Sequence, residues 1–157
     1  ARIARALEVV LSTGRPLAEW QAERQGGIGK EVNLSALILL PPRPWVYARC
    51  DARFAGMLSA GAVEEVQALL ARNLDPHLPA MRAIGVSEIA AMLRGELTLE
   101  EATAAGQQAT RRYAKRQYTW FAHQPPAEWR RFQDPLDCPS VADCALSMLS
   151  AGLKQGA

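Results

Sequence analysis

A chain of 157 residues, 49% hydrophobic and 22% charged, fits one domain or one domain plus part of another, and this ordinary globular composition argues against disorder. A formal net charge of +2 is too small to name a polyanionic partner by itself, so the distribution of charge must decide. The longest apolar run, Leu34–Leu40, is interrupted by Ser35 and ended by Pro41-Pro42, far short of the roughly 20 residues of a membrane helix.

Residues 2 to about 12 read as an amphipathic helix, with Ile3, Ala6, Leu7 and Val10 on one face and a stop near Ser12-Thr13-Gly14. No capping residue precedes it and Ala1 stands where Met would; a helix without its start signal is expected of a chain cut from a longer one. The opening Ala1-Arg-Ile-Ala-Arg also lacks the apolar core of a signal peptide. Pro16 suits the first turn of a second helix, running to about Arg24, and Gln25–Lys30 reads as a flexible linker. Asn33–Leu40 has the length and apolar content of a buried strand, which belongs centrally in a sheet that this chain has too few partners to build. From Pro44 the pattern is helical: Trp45–Ser59, a break at Ala60-Gly61, Ala62–Arg72, a loop over Asn73–Pro79, and a short helix around Ser87–Arg94 stopped by Gly95. Thr98-Leu-Glu-Glu101 has capping-box spacing and opens a long helix to about Ala122, which Pro125-Pro126 ends. Trp129–Phe132 reads as a short second strand, and Val141–Leu149 as a last helix with Val141, Ala145, Met148 and Leu149 on one side.

Gly26-Gly-Ile-Gly-Lys30 imitates a phosphate loop, which requires G-x-x-x-x-G-K followed by Ser or Thr. The first glycine position holds Arg24 and the residue after the lysine is Glu31, whose carboxylate repels phosphate; a linker fits better. Cys50, Cys138 and Cys144 lack CxxC spacing and read as reduced thiols with packing roles, and with only His77 and His123 beside them a zinc site is not expected. No order of Ser, His and Asp and no paired carboxylates offer a nucleophile with its base.

Positioned positive charge is what the chain has in surplus. On a helix over Thr110–Phe121, Arg111, Arg112, Lys115, Arg116, Thr119 and His123 fall within one arc, and Ala109, Tyr113, Gln117, Trp120 and Phe121 within the opposite one. Cations at such spacing repel one another, and no acidic residue lies between Glu101 and Glu128 to offset them. The row is either a solvated basic face over an aromatic core stripe or a face that meets polyanions, where phosphate contacts release counterions. The aromatics read as core. Arg2 and Arg5 share a helix face, Arg49 and Arg53 form an i, i+4 pair, and Arg82 precedes Gly85 and a helix start capped by Ser87 whose N–H groups could take an anion.

Arg5-Ala-Leu-Glu8, Thr13-Gly-Arg-Pro-Leu17, Arg53-Phe with Met57-Leu and Gly61, Ala83-Ile-Gly85, Gly95 and the block T-R-x-x-A-K-R-Q-x-T-W-F at 110–121 stand in one order along the chain. In that order they resemble the tRNA dimethylallyltransferase (IPP transferase) family, from the first residue to about Phe121 or Phe132, with the last block the most specific. The resemblance implies an α/β fold of the P-loop NTPase-like type, of which this chain is a mostly α-helical piece carrying one or two strands of the core sheet. Residues 1–27 would be the end of a helical insertion domain and residues 28–157 the C-terminal half of the catalytic core. The implied reaction transfers a dimethylallyl group from dimethylallyl diphosphate to the exocyclic amine of an adenosine next to the tRNA anticodon, releasing pyrophosphate. It also implies Mg2+, whose ligands, like the phosphate loop and the catalytic Asp, are expected in an N-terminal part and not in this chain, which alone should be inactive.

By motif position Arg53 resembles the family's diphosphate-contacting arginine and is the catalytic residue the resemblance implies. Its tRNA contacts map onto Arg2, Ile3, Ala4 and Arg5, onto Arg82, Ala83, Ile84, Gly85, Val86 and Ser87, and onto Lys115, Arg116, Gln117, Tyr118, Thr119, Trp120, Phe121 and Ala122. The implied partners are a tRNA anticodon stem-loop and dimethylallyl diphosphate, met by a cytoplasmic monomer without a membrane. The chain departs from the family pattern at Val86, where Tyr is common, and at Ala122, where Arg often follows Trp-Phe. Two other classes stay open at this point: a stand-alone helical RNA-binding module without chemistry, and a protein-interaction domain whose basic face meets an acidic partner.

Overall fold

The computed structural model describes residues 2–23, 27–28 and 31–154, the side chains of 151–154 excepted. Leu37–Leu39 forms strand β1 and Arg130–Phe132 strand β2, paired in parallel with Ile38 opposite Arg131. Parallel strands cannot be joined by a hairpin. The connection here consists of helices α3 (Arg43–Ser59), α4 (Ala62–Ala71), α5 (Val86–Leu93) and α6 (Leu99–His123), with a 3-10 turn over Pro79–Arg82. Helices α1 (Arg2–Thr13) and α2 (Leu17–Ala22) precede the sheet, and α7 (Pro139–Lys154) follows it. The mostly helical α/β class expected from the resemblance is the class observed.

The strand is shorter than the expected Asn33–Leu40 and is buried on one face only. Ile38 and Leu40 are buried while Leu39 between them is 47% exposed, so the pleat sends alternate side chains to opposite sides. Among the described residues β2 is its one neighbour. Helix α7 is fastened beside the pair: Ser35 Oγ donates to the Leu149 carbonyl at 2.6 Å and Arg130 Nη1 to that of Met148 at 3.2 Å. The second helix ends at Ala22; its expected continuation to Arg24 and the linker glycines Gly26 and Gly29, with Lys30, lie outside the described residues. No helix of the described residues is long and apolar enough to cross a membrane.

Helices α3 to α6 build the largest body of packing. Pro44 occupies the first turn of α3, where its missing N–H costs nothing. Val66 of α4 packs with Ile89 and Ala90 of α5, flanked by Leu58, Val63, Leu70 and Met92. Phe54 of α3, 3% exposed, reaches α5 and α6 at two glycines. A Cβ at Gly106 would collide with the Phe54 ring, and one at Gly85 would come within 3.1 Å of it. Glycine inside a helix costs about 1 kcal/mol relative to alanine. At position 106 of α6 the close seat of that ring is the compensating reason.

The expected capping box opens α6. The Glu101 N–H donates to Thr98 Oγ1 at 3.2 Å, and the Thr98 N–H donates to the Glu101 carboxylate at 2.8 Å. That bond from the Thr98 backbone, with the one from its side chain, holds the Glu101 carboxyl below the usual carboxylate range. A depressed folded value contributes stability that is fully present above the unfolded value of about 4.3 and is lost as pH falls through the folded one. Thermal melting followed from pH 6 to pH 3 should therefore show a smaller decline in Glu101→Gln than in the parent chain. An identical decline would remove Glu101 as a source of the acid sensitivity.

Burial departs from expectation at the cysteines. The three cysteines are free, as expected, but Cys138 and Cys144 are exposed, leaving a packing role only to Cys50. The apolar stripe of α1 exists, yet the helix holds no buried residue and Ile3 is 87% exposed, because no described element covers that face.

Candidate functional site

The second half of α6 forms one wall of an open groove of about 890 Å³, lined by Arg112, Lys115, Arg116, Thr119, Trp120 and His123, by Gln124 just beyond the helix, and by Arg2 from α1. No carboxylate lines it, and among the described residues none of Arg2, Arg112, Lys115 and Arg116 forms an ion pair. Helical spacing sets these side chains on one side: Lys115 and Thr119 are four apart, as are Arg112 and Arg116. Arg2, more than 100 residues away in sequence, joins them only because the fold returns α6 to α1. Unpaired cations around a concavity raise the local concentration of anions.

The expected cationic arc loses one member. Arg111 turns to α3, where its Nη1 donates to both carboxylate oxygens of Asp51 at 2.6 and 2.7 Å, while Gln107 Nε2 donates to the Asp51 carbonyl at 3.2 Å. The acidic partner that this stretch of α6 lacks comes from another helix. Arg111→Ala should therefore leave RNA affinity nearly unchanged while lowering stability by about 1–2 kcal/mol, since the pair is half-buried and charge-assisted. Urea unfolding of the variant, set beside RNA binding at two salt concentrations, checks both halves of that expectation.

The aromatic stripe is not core. Trp120 is 55% and Phe121 43% exposed, and their rings meet edge to face with centroids 5.0 Å apart. Tyr113 is exposed too, with the Arg116 guanidinium over its ring at 5.4 Å. Tyr118 lies under the Arg43 guanidinium at 4.7 Å and ties α6 to the start of α3. Alternation around the helix separates two faces, yet Trp120 of the second lines the groove with the cations of the first, and spacing cannot say which face the rest of the chain covers.

Arg53 is exposed on α3, its Nη1 3.9 Å from Met57 Sδ, with no carboxylate beside it. It borders a shallow cavity of about 570 Å³ with Trp45, Val46, Arg49, Cys50 and Ala52. Arg49 differs from it in lying over the Trp45 ring at 4.8 Å.

The segment Arg82–Ser87 departs from expectation. Helix α5 begins at Val86 after Gly85, whose φ of +100° suits glycine, and Ser87 is not its cap. The Gly85 N–H already donates to Glu88 Oε2 at 3.0 Å, and Ser87 Oγ donates to the same oxygen at 2.9 Å. A carboxylate thus fills the place expected for an anion. Val86 packs against the α4–α5 core. Arg82, Ala83 and Ile84 remain exposed.

The groove gathers Arg2, Lys115, Arg116, Thr119 and Trp120 of the expected contacts; Arg5 pairs instead with Glu8 at 3.3 Å, and Ile3, Ala4, Gln117, Phe121 and Ala122 do not line it. Arg112, His123 and Gln124 line it without having been singled out by motif position, although helical spacing places the first two on the same arc. Among the described residues no three His, Cys, Asp or Glu side chains come together to hold a metal.

Comparison with known proteins bears on this arrangement. A family model described as IPP transferase matches residues 1–124. A tRNA dimethylallyltransferase of Erythrobacter litoralis is 64% identical over 133 residues, which are 85% of this chain and 42% of that protein. One of Sphingopyxis alaskensis is 57% identical over 147 residues, 94% of this chain and 48% of that protein. The chain thus spans about half the length of the curated relatives it matches. The solved full-length tRNA isopentenylpyrophosphate transferase of Bacillus halodurans superposes on 99% of this chain and 47% of its own, with a TM-score of 0.63 and 28% identity. The tRNA delta(2)-isopentenylpyrophosphate transferase of Staphylococcus epidermidis gives a TM-score of 0.60 at 28% identity, over 98% of this chain. A match over residues 1–124, which takes in Arg53 and every residue that lines the basic groove, shows that the chain belongs to the IPP transferase family.

Proposed function

We propose that this chain is the part of a tRNA dimethylallyltransferase that grips the tRNA anticodon stem-loop and the leaving diphosphate. The observation that carries the reading is the groove in which Arg2 joins Arg112, Lys115 and Arg116 with no carboxylate and with an exposed tryptophan on its wall. Phosphates bind such cations with release of counterions, and an exposed aromatic plane suits an unstacked base. On this reading residues 1–27 belong to a helical insertion and residues 28–157 to the C-terminal half of the catalytic core.

In the proposed reaction the exocyclic amine of an adenine turned out of its stack forms a bond to the first carbon of dimethylallyl diphosphate. The carbon–oxygen bond to the diphosphate breaks and its electron pair leaves with pyrophosphate. The amine loses a proton to a base outside this chain. Turning the base out costs a few kcal/mol, which the groove's phosphate contacts offset. On this reading Arg53, exposed and without a carboxylate partner among the described residues, is the donor that meets charge growing on the leaving diphosphate. The family resemblance implies Mg2+; its ligands are assigned to the part of the relatives that this chain does not span, and no step here runs through it.

Transfer of labelled dimethylallyl from its diphosphate to an anticodon stem-loop, by a complete transferase carrying this chain, tests the reading. Labelled RNA is the expected product. Tight RNA binding without transfer would favour the stand-alone RNA-binding module instead.

A further inference from the structure

Arg53 has a long side chain whose one recorded polar contact is a sulfur at 3.9 Å, so the position of its guanidinium follows the position of the α3 backbone. That backbone is fixed on both sides of residue 53. Two residues earlier, Asp51 is held to α6 by Arg111 through its carboxylate and by Gln107 through its carbonyl. One residue later, the Phe54 ring is seated where Gly85 and Gly106 both lack a Cβ that it would strike. Gly85 belongs to the exposed segment that also carries Arg82, and Gly106 lies two turns before the cationic stretch of α6. A single ring of α3, next to Arg53, is therefore seated against two other parts of the chain, one of them the helix that carries the basic groove.

Resting on the reading of Arg53 as the diphosphate arginine, we propose that Phe54, keyed between Gly85 and Gly106, is a positioning residue that holds Arg53 in register with the RNA-gripping face of α6. A side chain at 106 moves the ring, the ring moves α3, and the guanidinium leaves the line along which the diphosphate departs. Misplacement of about 1 Å at a reacting centre costs up to about a hundredfold in rate.

The test uses a complete transferase carrying this chain, with Gly106→Ala, Phe54→Leu, the double variant and Arg53→Ala assayed in parallel at saturating substrates. Gly106→Ala is expected to lower kcat by roughly ten- to a hundredfold while the KM for tRNA stays within about twofold. Phe54→Leu in that background is expected to restore several-fold of the loss, because the shorter side chain lacks the ring edge that collides with the new methyl. A folded Gly106→Ala enzyme with kcat within about twofold of the parent, or a loss that the double variant does not relieve, overturns the proposal. Should Gly106→Ala fail to fold, Phe54→Leu alone decides: a several-fold fall in kcat in a folded enzyme supports the keyed ring, and an unchanged kcat overturns it. If Arg53→Ala itself keeps the full rate, the reading of Arg53 falls and the proposal with it. If Arg53→Ala is slow while Gly106→Ala is fast, the positioning role alone is overturned.

Discussion

Replacing Arg53 by alanine in a complete transferase that carries this chain is expected to lower turnover by about a hundred- to a thousandfold while leaving tRNA affinity within about threefold. The size follows from what the residue would do. A guanidinium is planar, always charged and able to give two parallel hydrogen bonds to phosphate oxygens, so its attraction grows as negative charge accumulates on the departing diphosphate. An interaction stronger in the transition state than in the bound substrate lowers kcat rather than raising KM alone. Arg53 is available for this because its neighbours leave it so: Arg49, one turn earlier, lies over Trp45, whereas among the described residues the polar contact of Arg53 is the Met57 sulfur. Arg53→Lys should recover only part of the loss, since a point charge keeps the attraction but not the paired geometry. A rate for Arg53→Ala close to that of the parent enzyme would take the residue out of the reaction.

Removing both Lys115 and Arg116 should weaken binding of an anticodon stem-loop by about 1–2 kcal/mol, roughly five- to thirtyfold at fixed salt. The sharper signature is the salt dependence. Each lost phosphate contact removes about 0.7–0.9 from the slope of log affinity against log salt, so the double variant should flatten that slope by about 1.5. Both side chains are exposed, border the same groove as Arg2 and Arg112, and have no carboxylate in reach among the described residues. The isolated chain suffices for the measurement if its binding is strong enough to follow. An unaltered slope would mean that this face looks into water and that RNA is held elsewhere.

The contrast between Arg111 and its neighbours shows what sequence can and cannot carry. Spacing along α6 groups Arg111, Arg112, Lys115 and Arg116, and the helix does place the last three together. The removal of Arg111 from that group depends on Asp51, sixty residues earlier, and no local pattern connects the two. The same limit explains Trp120 and Phe121. Their periodicity marks a face distinct from the most cationic one, but exposure is decided by which other elements pack there, and among the described residues none covers them fully. Local signals fared better: the Thr98–Glu101 box, the break at Gly61 and Pro44 in the first turn of α3 each sit where their chemistry requires. A cap at Ser87 would stand two residues beyond the observed one at Gly85, and the shift changes the chemistry, because Glu88 turns back onto the Gly85 N–H and occupies the anion's place. Gly106 offered no local reason to be glycine at all; only the Phe54 ring supplies one.

The most direct measurement is the structure of a complete transferase carrying this chain, bound to an anticodon stem-loop and an unreactive analogue of dimethylallyl diphosphate. Lys115 and Arg116 should lie within hydrogen-bonding reach of RNA phosphates, and the Arg53 guanidinium within reach of the diphosphate oxygens. All three side chains directed away from every phosphate would contradict the assignment, leaving a family fold whose basic groove does not meet its substrates.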